Sequence, residues 1–150
     1  VEEGGIVADP GTVAEISGLL VKGDDDSAAD VLEIYGSTGD DIFTLTDEAG
    51  VDPETDKGMY FLRVDQQGGP VFDIWEIGAI NDRIVVDAAG GDDEVDASGI
   101  SRDLLDDLRL LGGDGDDRLV GSDFEEMLIG GLGADRITGG RGVDVFYHAD

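Results

Sequence analysis

The sequence contains no cysteine and a single histidine, His148. Disulfide frameworks, thiolate zinc sites and cysteine nucleophiles are therefore excluded, and so is any metal site that needs two imidazoles. No apolar run approaches the roughly 18 residues of a membrane-spanning helix, and no charged and apolar leader is visible. Only oxygen ligands remain for binding a metal, which suits hard divalent cations.

Positive charge is also scarce, with 9 Lys and Arg residues against 37 Asp and Glu residues and a formal net charge of −28. This balance argues against a nucleic-acid partner, because such proteins carry basic surfaces. Disorder is not expected either, since 40% of the residues are hydrophobic and they occur in short alternating runs. An ordered chain this acidic repels itself unless cations neutralise part of its charge. The composition therefore predicts bound divalent metal.

The stretch from residue 112 to residue 147 repeats one nine-residue unit four times, G-G-x-G-x-D-x-U-x, where U is apolar. The units begin at Gly112, Gly121, Gly130 and Gly139. Their sixth residues are Asp117, Glu126, Asp135 and Asp144, and their eighth residues are Leu119, Leu128, Ile137 and Phe146. Such a period is typical of a stacked β-solenoid.

Each part of the unit has a physical role. The glycines permit a tight turn in which carbonyl groups converge, and the last three residues form a short strand with the apolar side chain inward. Two units complete one coil, so the turn at 112–117 is expected to stack on 130–135, and 121–126 on 139–144. Carboxylates and carbonyls of two stacked turns can then surround one calcium ion, which takes about 6–8 oxygens. Like charges oppose stacking without the metal, so calcium binding and folding should be coupled.

These turns give the predicted metal ligands. The 112/130 site, which we expect to be the stronger, uses Asp117, Asp135, Gly113, Gly115, Gly131 and Gly133. The 121/139 site uses Glu126 and Asp144. It is expected to be weaker, because the unit GSDFEEMLI replaces two glycines by Ser122 and Phe124 and carries Glu in place of Asp.

The repeat resembles the RTX calcium-binding repeats of bacterial secreted proteins, closely over residues 112–147 and loosely over 30–96. The resemblance implies Ca²⁺ as the bound cofactor and an all-β fold, a parallel β-roll or β-helix (solenoid). It also implies a secreted or cell-surface bacterial protein that uses type I secretion. We expect longer, irregular rungs in the N-terminal part and a calcium-binding RTX β-roll at the C-terminal end.

Two upstream segments carry a diluted form of the unit, GSTGDDIFT at 36–44 and AAGGDDEVD at 88–96. Asp41 and Asp93 are candidate metal ligands there, with a simple polar turn as the alternative reading. An aspartate, Asp30 or Asp82, precedes each by 11 residues, and blocks 30–45 and 82–97 align without gaps, which indicates an internal duplication. We therefore divide the chain into degenerate rungs with inserted loops (1–111) and RTX β-roll (112–150). Both would form one continuous stack within a larger protein.

The remaining segments give coarser predictions. MYFLRVD (59–65) and VFDIWEI (71–77) form either a hairpin or two sides of a rung. Residues 46–58 are expected to be an exposed loop, as are 23–27. Between 100 and 111 the nine-residue period breaks; Ser101 can cap a short helical turn, followed by a strand near 108–111.

Three functions follow from these patterns. The first is a non-enzymatic, calcium-dependent structural spacer in a large secreted or cell-surface protein, such as an adhesin or surface-layer component. The second is the C-terminal folding and secretion module of a secreted protease, lipase or polysaccharide epimerase, whose chemistry lies elsewhere. The third, catalysis by paired carboxylates, has little support, because pairs are unavoidable among 37 acids. Expected partners are calcium ions, other surface-protein segments or extracellular glycans, without nucleic acid or a membrane span.

Overall fold

The computed structural model describes residues 6–8, 19–22, 31–51, 56, 58–69, 71–75, 83–102 and 107–148. Within these residues the protein is all-β, with thirteen strands and no helix. The first seven strands are β1 Ile6–Ala8, β2 Leu19–Lys22, β3 Val31–Tyr35, β4 Ile42–Val51, β5 Gly58–Gln66, β6 Val71–Trp75 and β7 Arg83–Asp87. The other six are β8 Glu94–Gly99, β9 Asp107–Asp114, β10 Arg118–Val120, β11 Glu126–Leu132, β12 Arg136–Thr138 and β13 Val145–Tyr147. None of the described residues belongs to a helix with the length and hydropathy needed to cross a membrane.

The strands form two sheets of different character. Sheet 1 has the order β1-β3-β7-β9-β11-β13, and every pairing in it is parallel. Sheet 2 has the order β12-β10-β8-β4-β5-β6-β2 and is parallel except for the pairings of β5 with β4 and with β6. The prediction of an all-β chain with parallel sheets is therefore confirmed.

From β7 to β13 successive strands alternate between the two sheets. Each strand consequently pairs with the next strand but one along the chain. β11 lies beside β9 with Leu128 opposite Leu110, and β12 lies beside β10 with Ile137 opposite Leu119, so the register shift is that of two nine-residue units. The stacking that the repeat predicted for residues 112–147 is confirmed by these pairings.

A single apolar core lies between the sheets. Strands show the strict alternation of buried and half-buried residues that a period of two requires, as in β9 and β11. Leu110 and Leu128 from sheet 1 and Leu119 from sheet 2 are fully buried in this core. Phe43 and Leu45 of β4 extend the same core towards the upstream strands.

Three of the coarser expectations can be compared with the described strands. β5 and β6 form an antiparallel hairpin, which decides between the two alternatives for 59–65 and 71–77. The exposed loop expected at 46–58 is wrong in its first half. Residues 46–51 continue β4 and pair antiparallel with β5, because Leu62 and Phe61 of β5 provide a buried apolar partner strand. The strand expected near 108–111 is present as β9.

Some predictions fall outside the described residues. These are Asp30, Asp82, the loop at 23–27 and residues 103–106 of the helical turn proposed after Ser101.

We expect the Leu128→Ala variant to lose about 2–5 kcal/mol of unfolding free energy. Leu128 is fully buried, so the substitution leaves a cavity that the surrounding side chains fill only in part. Leu132→Ala is the matched control, since Leu132 lies on the same strand but is 50% exposed. Denaturant unfolding in saturating calcium measures both. Equal losses for the two variants would contradict a core centred between the sheets.

Candidate metal centre

Four six-residue turns lie on one edge of the molecule, where the chain passes from sheet 1 to sheet 2. They connect β3 to β4, β7 to β8, β9 to β10 and β11 to β12. Their ranges are 36–41, 88–93, 112–117 and 130–135. The sixth residues, which we call the inner carboxylate row, are Asp41, Asp93, Asp117 and Asp135.

Hydrogen bonds from main-chain amides to side-chain carboxylates hold the inner carboxylate row in register. The Asp117 amide donates to Oδ1 of Asp135 over 3.1 Å, a step of 18 residues. The Asp93 amide donates to Oδ1 of Asp117 over 2.9 Å, a step of 24 residues. The Asp41 amide donates to Oδ1 of Asp93 over 2.6 Å, a step of 52 residues. Asp93, Asp117 and Asp135 thus each accept the main-chain amide of the preceding turn on one carboxylate oxygen.

The second carboxylate oxygens are the unusual feature of this edge. Oδ2 of Asp93, Asp117 and Asp135 is buried and has no hydrogen-bond partner among the described residues. Asp93 is 3% exposed and Asp117 is 2% exposed, so water cannot replace the missing partner freely. Leaving a neutral buried polar group without a hydrogen-bond partner costs about 1–3 kcal/mol, and leaving a charged one costs more. A cation would remove that cost.

Main-chain carbonyl groups lie beside these oxygens. A Cβ placed on Gly112 would overlap both Oδ2 of Asp117 and the carbonyl oxygen of Gly130 in the next turn. The glycine therefore leaves a space in which oxygens of two adjacent turns meet. Gly133 has φ +134°, and a Cβ there would overlap the carbonyl oxygen of Gly115. The residues present fit a calcium ion between turns 112–117 and 130–135, with Asp117, Asp135 and main-chain carbonyls as the oxygen donors.

No group of three or more His, Cys, Asp or Glu side chains that could hold a metal occurs within the described ranges. This does not conflict with the geometry above, because each interval between turns offers two carboxylates and draws its remaining oxygens from the main chain. The predicted ligands Gly113, Gly115, Gly131 and Gly133 can contribute only in this way.

The opposite edge holds the second predicted pair. The Glu126 amide donates to Oδ1 of Asp144 over 3.3 Å, which brings these two residues together as the repeat predicted. The Glu126 carboxylate also accepts hydrogen bonds from the Ser122 amide, over 3.3 Å, and from the Ser122 hydroxyl. Because both oxygens of this carboxylate accept hydrogen bonds from Ser122, this edge has fewer unpartnered oxygens for a cation than the inner carboxylate row has.

Burial controls the protonation of these acids. It raises the pKa of Asp93 to about 6 and the pKa of Glu126 to about 7. It also raises the pKa of Asp117, and the nearby charge of Asp135 adds to this effect. Desolvation and nearby negative charge both disfavour the ionised carboxylate. A bound cation would stabilise the ionised form and lower each pKa again.

Sequence reasoning missed two parts of this edge. An outer row of exposed aspartates follows the inner one: the Asp92 amide donates to Asp40 and the Asp116 amide to Asp92, each over 2.9 Å. The Asp-Asp pairs of the three upstream turns were a signal that could have revealed it. The amide of Gln66 donates to Oδ1 of Asp41 over 2.9 Å, and no pattern in the sequence points to that contact.

We expect the Gly133→Ala variant to weaken calcium binding by at least about tenfold, because its Cβ would push the Gly115 carbonyl out of the turn. Gly68→Ala is the matched control: Gly68 also has positive φ, +79°, but a Cβ there would meet nothing within 4 Å. Calorimetric titration with calcium measures the affinity. If both variants bind as the unmodified chain does, the converging carbonyls do not serve the metal.

In the absence of metal we expect the chain to be more stable near about pH 5 than near about pH 8. The raised pKa values of Asp93 and Glu126 mean that the folded chain binds these protons more tightly than the unfolded chain. The resulting stabilisation is complete below the unfolded pKa of about 4 and is lost as the pH rises through about 6 to 7. Thermal unfolding of the metal-free chain across this range measures it.

Glu126→Gln should flatten this pH dependence, whereas Glu125→Gln, at an exposed neighbour, should leave it unchanged. Metal-free stability that rises steadily from about pH 5 to about pH 8 would contradict the assignment.

Residues 120–150 match the family model of the RTX calcium-binding nonapeptide repeat, in four copies. Neither the curated proteins nor the solved structures include a match to the chain. RTX repeats are typical of secreted bacterial proteins and bind Ca²⁺. The resemblance drawn from the glycine and aspartate spacing is confirmed over this range, and residues 120–150 are a run of RTX calcium-binding repeats.

Proposed function

We propose that this chain is a calcium-dependent structural segment of a large secreted or cell-surface RTX-type protein, in which the two sheets form a β-roll that serves as a spacer. The observation that carries the proposal is the set of buried, unpartnered carboxylate oxygens on Asp93, Asp117 and Asp135. They are aligned in adjacent turns, where a divalent cation can bridge them.

The contrast with the other acids supports a metal rather than a salt bridge. Acids on the outward faces of the strands have arginine partners in neighbouring strands: Arg83 contacts Asp107 over 2.7 Å, and Arg118 contacts Glu94. Among the described residues, no arginine pairs with the inner carboxylate row, and Nδ1 of His148 lies 3.4 Å from Oδ2 of Asp135. The arginines that form ion pairs within the described residues therefore pair with other acids, and the row is left for a cation from solution.

This arrangement links folding to the surroundings of the protein. A metal-free stack must bury aligned carboxylates in a chain whose formal net charge is −28, so self-repulsion favours the unfolded state. Extracellular calcium modules typically have dissociation constants of about 10⁻⁴–10⁻³ M. A chain tuned to this range stays unfolded where calcium is scarce, can pass a type I secretion channel, and folds where calcium is plentiful.

The strand pairing suits a spacer. Each coil contacts only the coils before and after it, so stability and stiffness accumulate along one axis. The acids of the row are committed to bridging adjacent coils, and we propose no catalytic step for these residues. The second interpretation, a folding module of a secreted enzyme, requires the same calcium chemistry and differs only in what the segment is attached to.

Calcium titration followed by circular dichroism tests the proposal. We expect a cooperative gain of strand signal that a chelator reverses, because binding removes the repulsion that keeps the coils apart. Asp117→Asn should shift the midpoint to at least about tenfold higher calcium. Asp65→Asn is the control, since it removes the same charge from an exposed position on β5. A chain that is fully folded without calcium, or two variants with the same midpoint, would argue against coupled folding.

A further inference from the structure

The inner carboxylate row continues upstream of the residues that match the RTX repeat. The turn at 88–93 lies outside residues 120–150 and belongs to a coil of 24 rather than 18 residues, as the hydrogen bond from Asp93 to Asp117 shows. The match to the family model therefore does not predict a metal site at this turn. Its geometry can be compared directly with the turn at 112–117.

The turn at 88–93 reproduces the backbone of the repeat without its sequence. Ala89 holds the place that Gly113 holds in the next turn, and it has φ +75°, a left-handed conformation that non-glycine residues rarely adopt. Gly91 has φ +129°, beside +139° for its counterpart Gly115. A left-handed alanine costs about 1–2 kcal/mol, so the surrounding stack must impose this conformation.

The contacts between turns are also reproduced. A Cβ on Gly113 would overlap the carbonyl oxygen of Ala89, and one on Gly115 would overlap that of Gly91. The same overlaps relate Gly131 to Gly113 and Gly133 to Gly115 in the next interval. The carbonyl oxygens of the turn at 88–93 are thus placed against its neighbour as those of the turn at 112–117 are.

The carboxylate of Asp93 provides the independent sign of a missing partner. Its Oδ1 accepts the Asp41 amide, but its Oδ2 is buried and unpartnered among the described residues, and the residue is only 3% exposed. Asp117 is in the same condition one turn away.

Asp41 differs from these two in both of its oxygens. Oδ1 accepts the side-chain amide of Gln66 over 2.9 Å, in the role that the preceding turn's amide has elsewhere. Oδ2 accepts the amide of Ser37 over 2.6 Å and its hydroxyl over 2.9 Å. Neither oxygen of Asp41 is therefore left without a hydrogen-bond partner, in contrast to Oδ2 of Asp93 and Asp117.

We propose that a further divalent cation binds between the turns at 88–93 and 112–117, bounded by Asp93 and Asp117, and that Gln66 and Ser37 end the row at Asp41. The inference rests on the proposed function, which it extends beyond the matched repeats. Under this proposal Asp41, which the sequence predicts as a metal ligand, serves instead as a structural end cap. Ala88 stands in the register of Gly112, where a Cβ would overlap the acid of its own turn, so this site should bind calcium more weakly than the 112/130 site.

Equilibrium dialysis that counts calcium ions per chain at saturation tests the proposal. Asp93→Asn should bind one ion fewer than the unmodified chain, whereas Asp41→Asn, a change of the same charge in the same row, should bind the full number. Ala88→Gly should tighten the weakest binding step by several fold. Far-UV circular dichroism in calcium confirms that each variant is folded.

A second measurement avoids mutation altogether. Anomalous scattering from crystals of the unmodified chain grown with terbium(III) should show a peak between Asp93 and Asp117 and none beside Asp41. If the unmodified chain binds no calcium, the proposed function itself is refuted. If it binds calcium but Asp93→Asn keeps the full stoichiometry, or the map shows no peak at Asp93, only the further site is refuted; loss of an ion in Asp41→Asn would refute the end cap.

Discussion

The fold depends on how one carboxylate is shared between two kinds of partner. In Asp93, Asp117 and Asp135 one carboxylate oxygen accepts the main-chain amide of the preceding turn, and this bond sets the register between coils. The other oxygen of Asp93, Asp117 and Asp135 is buried without a partner in the described structure. Hydrogen bonds therefore align these carboxylates, and the negative charge that they bring together can be neutralised by a cation or by protonation. Under the proposed function, assembly and metal binding are linked because the same side chain takes part in both.

The repeat explains why the sequence predicts this edge well between residues 112 and 147. A nine-residue period fixes the 18-residue step, the inward apolar positions and the stacking of Asp117 on Asp135, since all three follow from the alternation of side chains along short strands. The glycine spacing also predicts where carbonyl groups converge. Each of these features depends on residues close together in the sequence, so the repeat pattern alone predicts it.

Upstream the sequence is less informative, for a physical reason. The extension of β4 through residue 51 depends on its antiparallel pairing with β5. Neither segment has a sequence pattern that predicts the other as its partner. Gln66 reaches Asp41 only because the β4–β5 pairing brings their strand ends together. Ala89 adopts positive φ because its neighbours impose it, so the sequence AAGGDD reads as a departure from the repeat although its backbone follows it. Tertiary contacts overrode local preference at each of these places.

The coils differ in length, yet the segment that ends in each member of the inner carboxylate row spans six equivalent residues, 36–41, 88–93, 112–117 and 130–135, although the last two begin within β9 and β11. Steps of 52, 24 and 18 residues separate successive members of the row. The additional residues lie in the long β4, the β5–β6 hairpin and the segment up to β7 in the first step, and in β8 and the segment up to β9 in the second. The edge that carries the inner carboxylate row is thus constant in length, while the rest of each coil varies. Sequence can therefore be inserted into sheet 2 and into its connection back to sheet 1 without changing that edge, as the antiparallel β5–β6 hairpin between β4 and β2 shows.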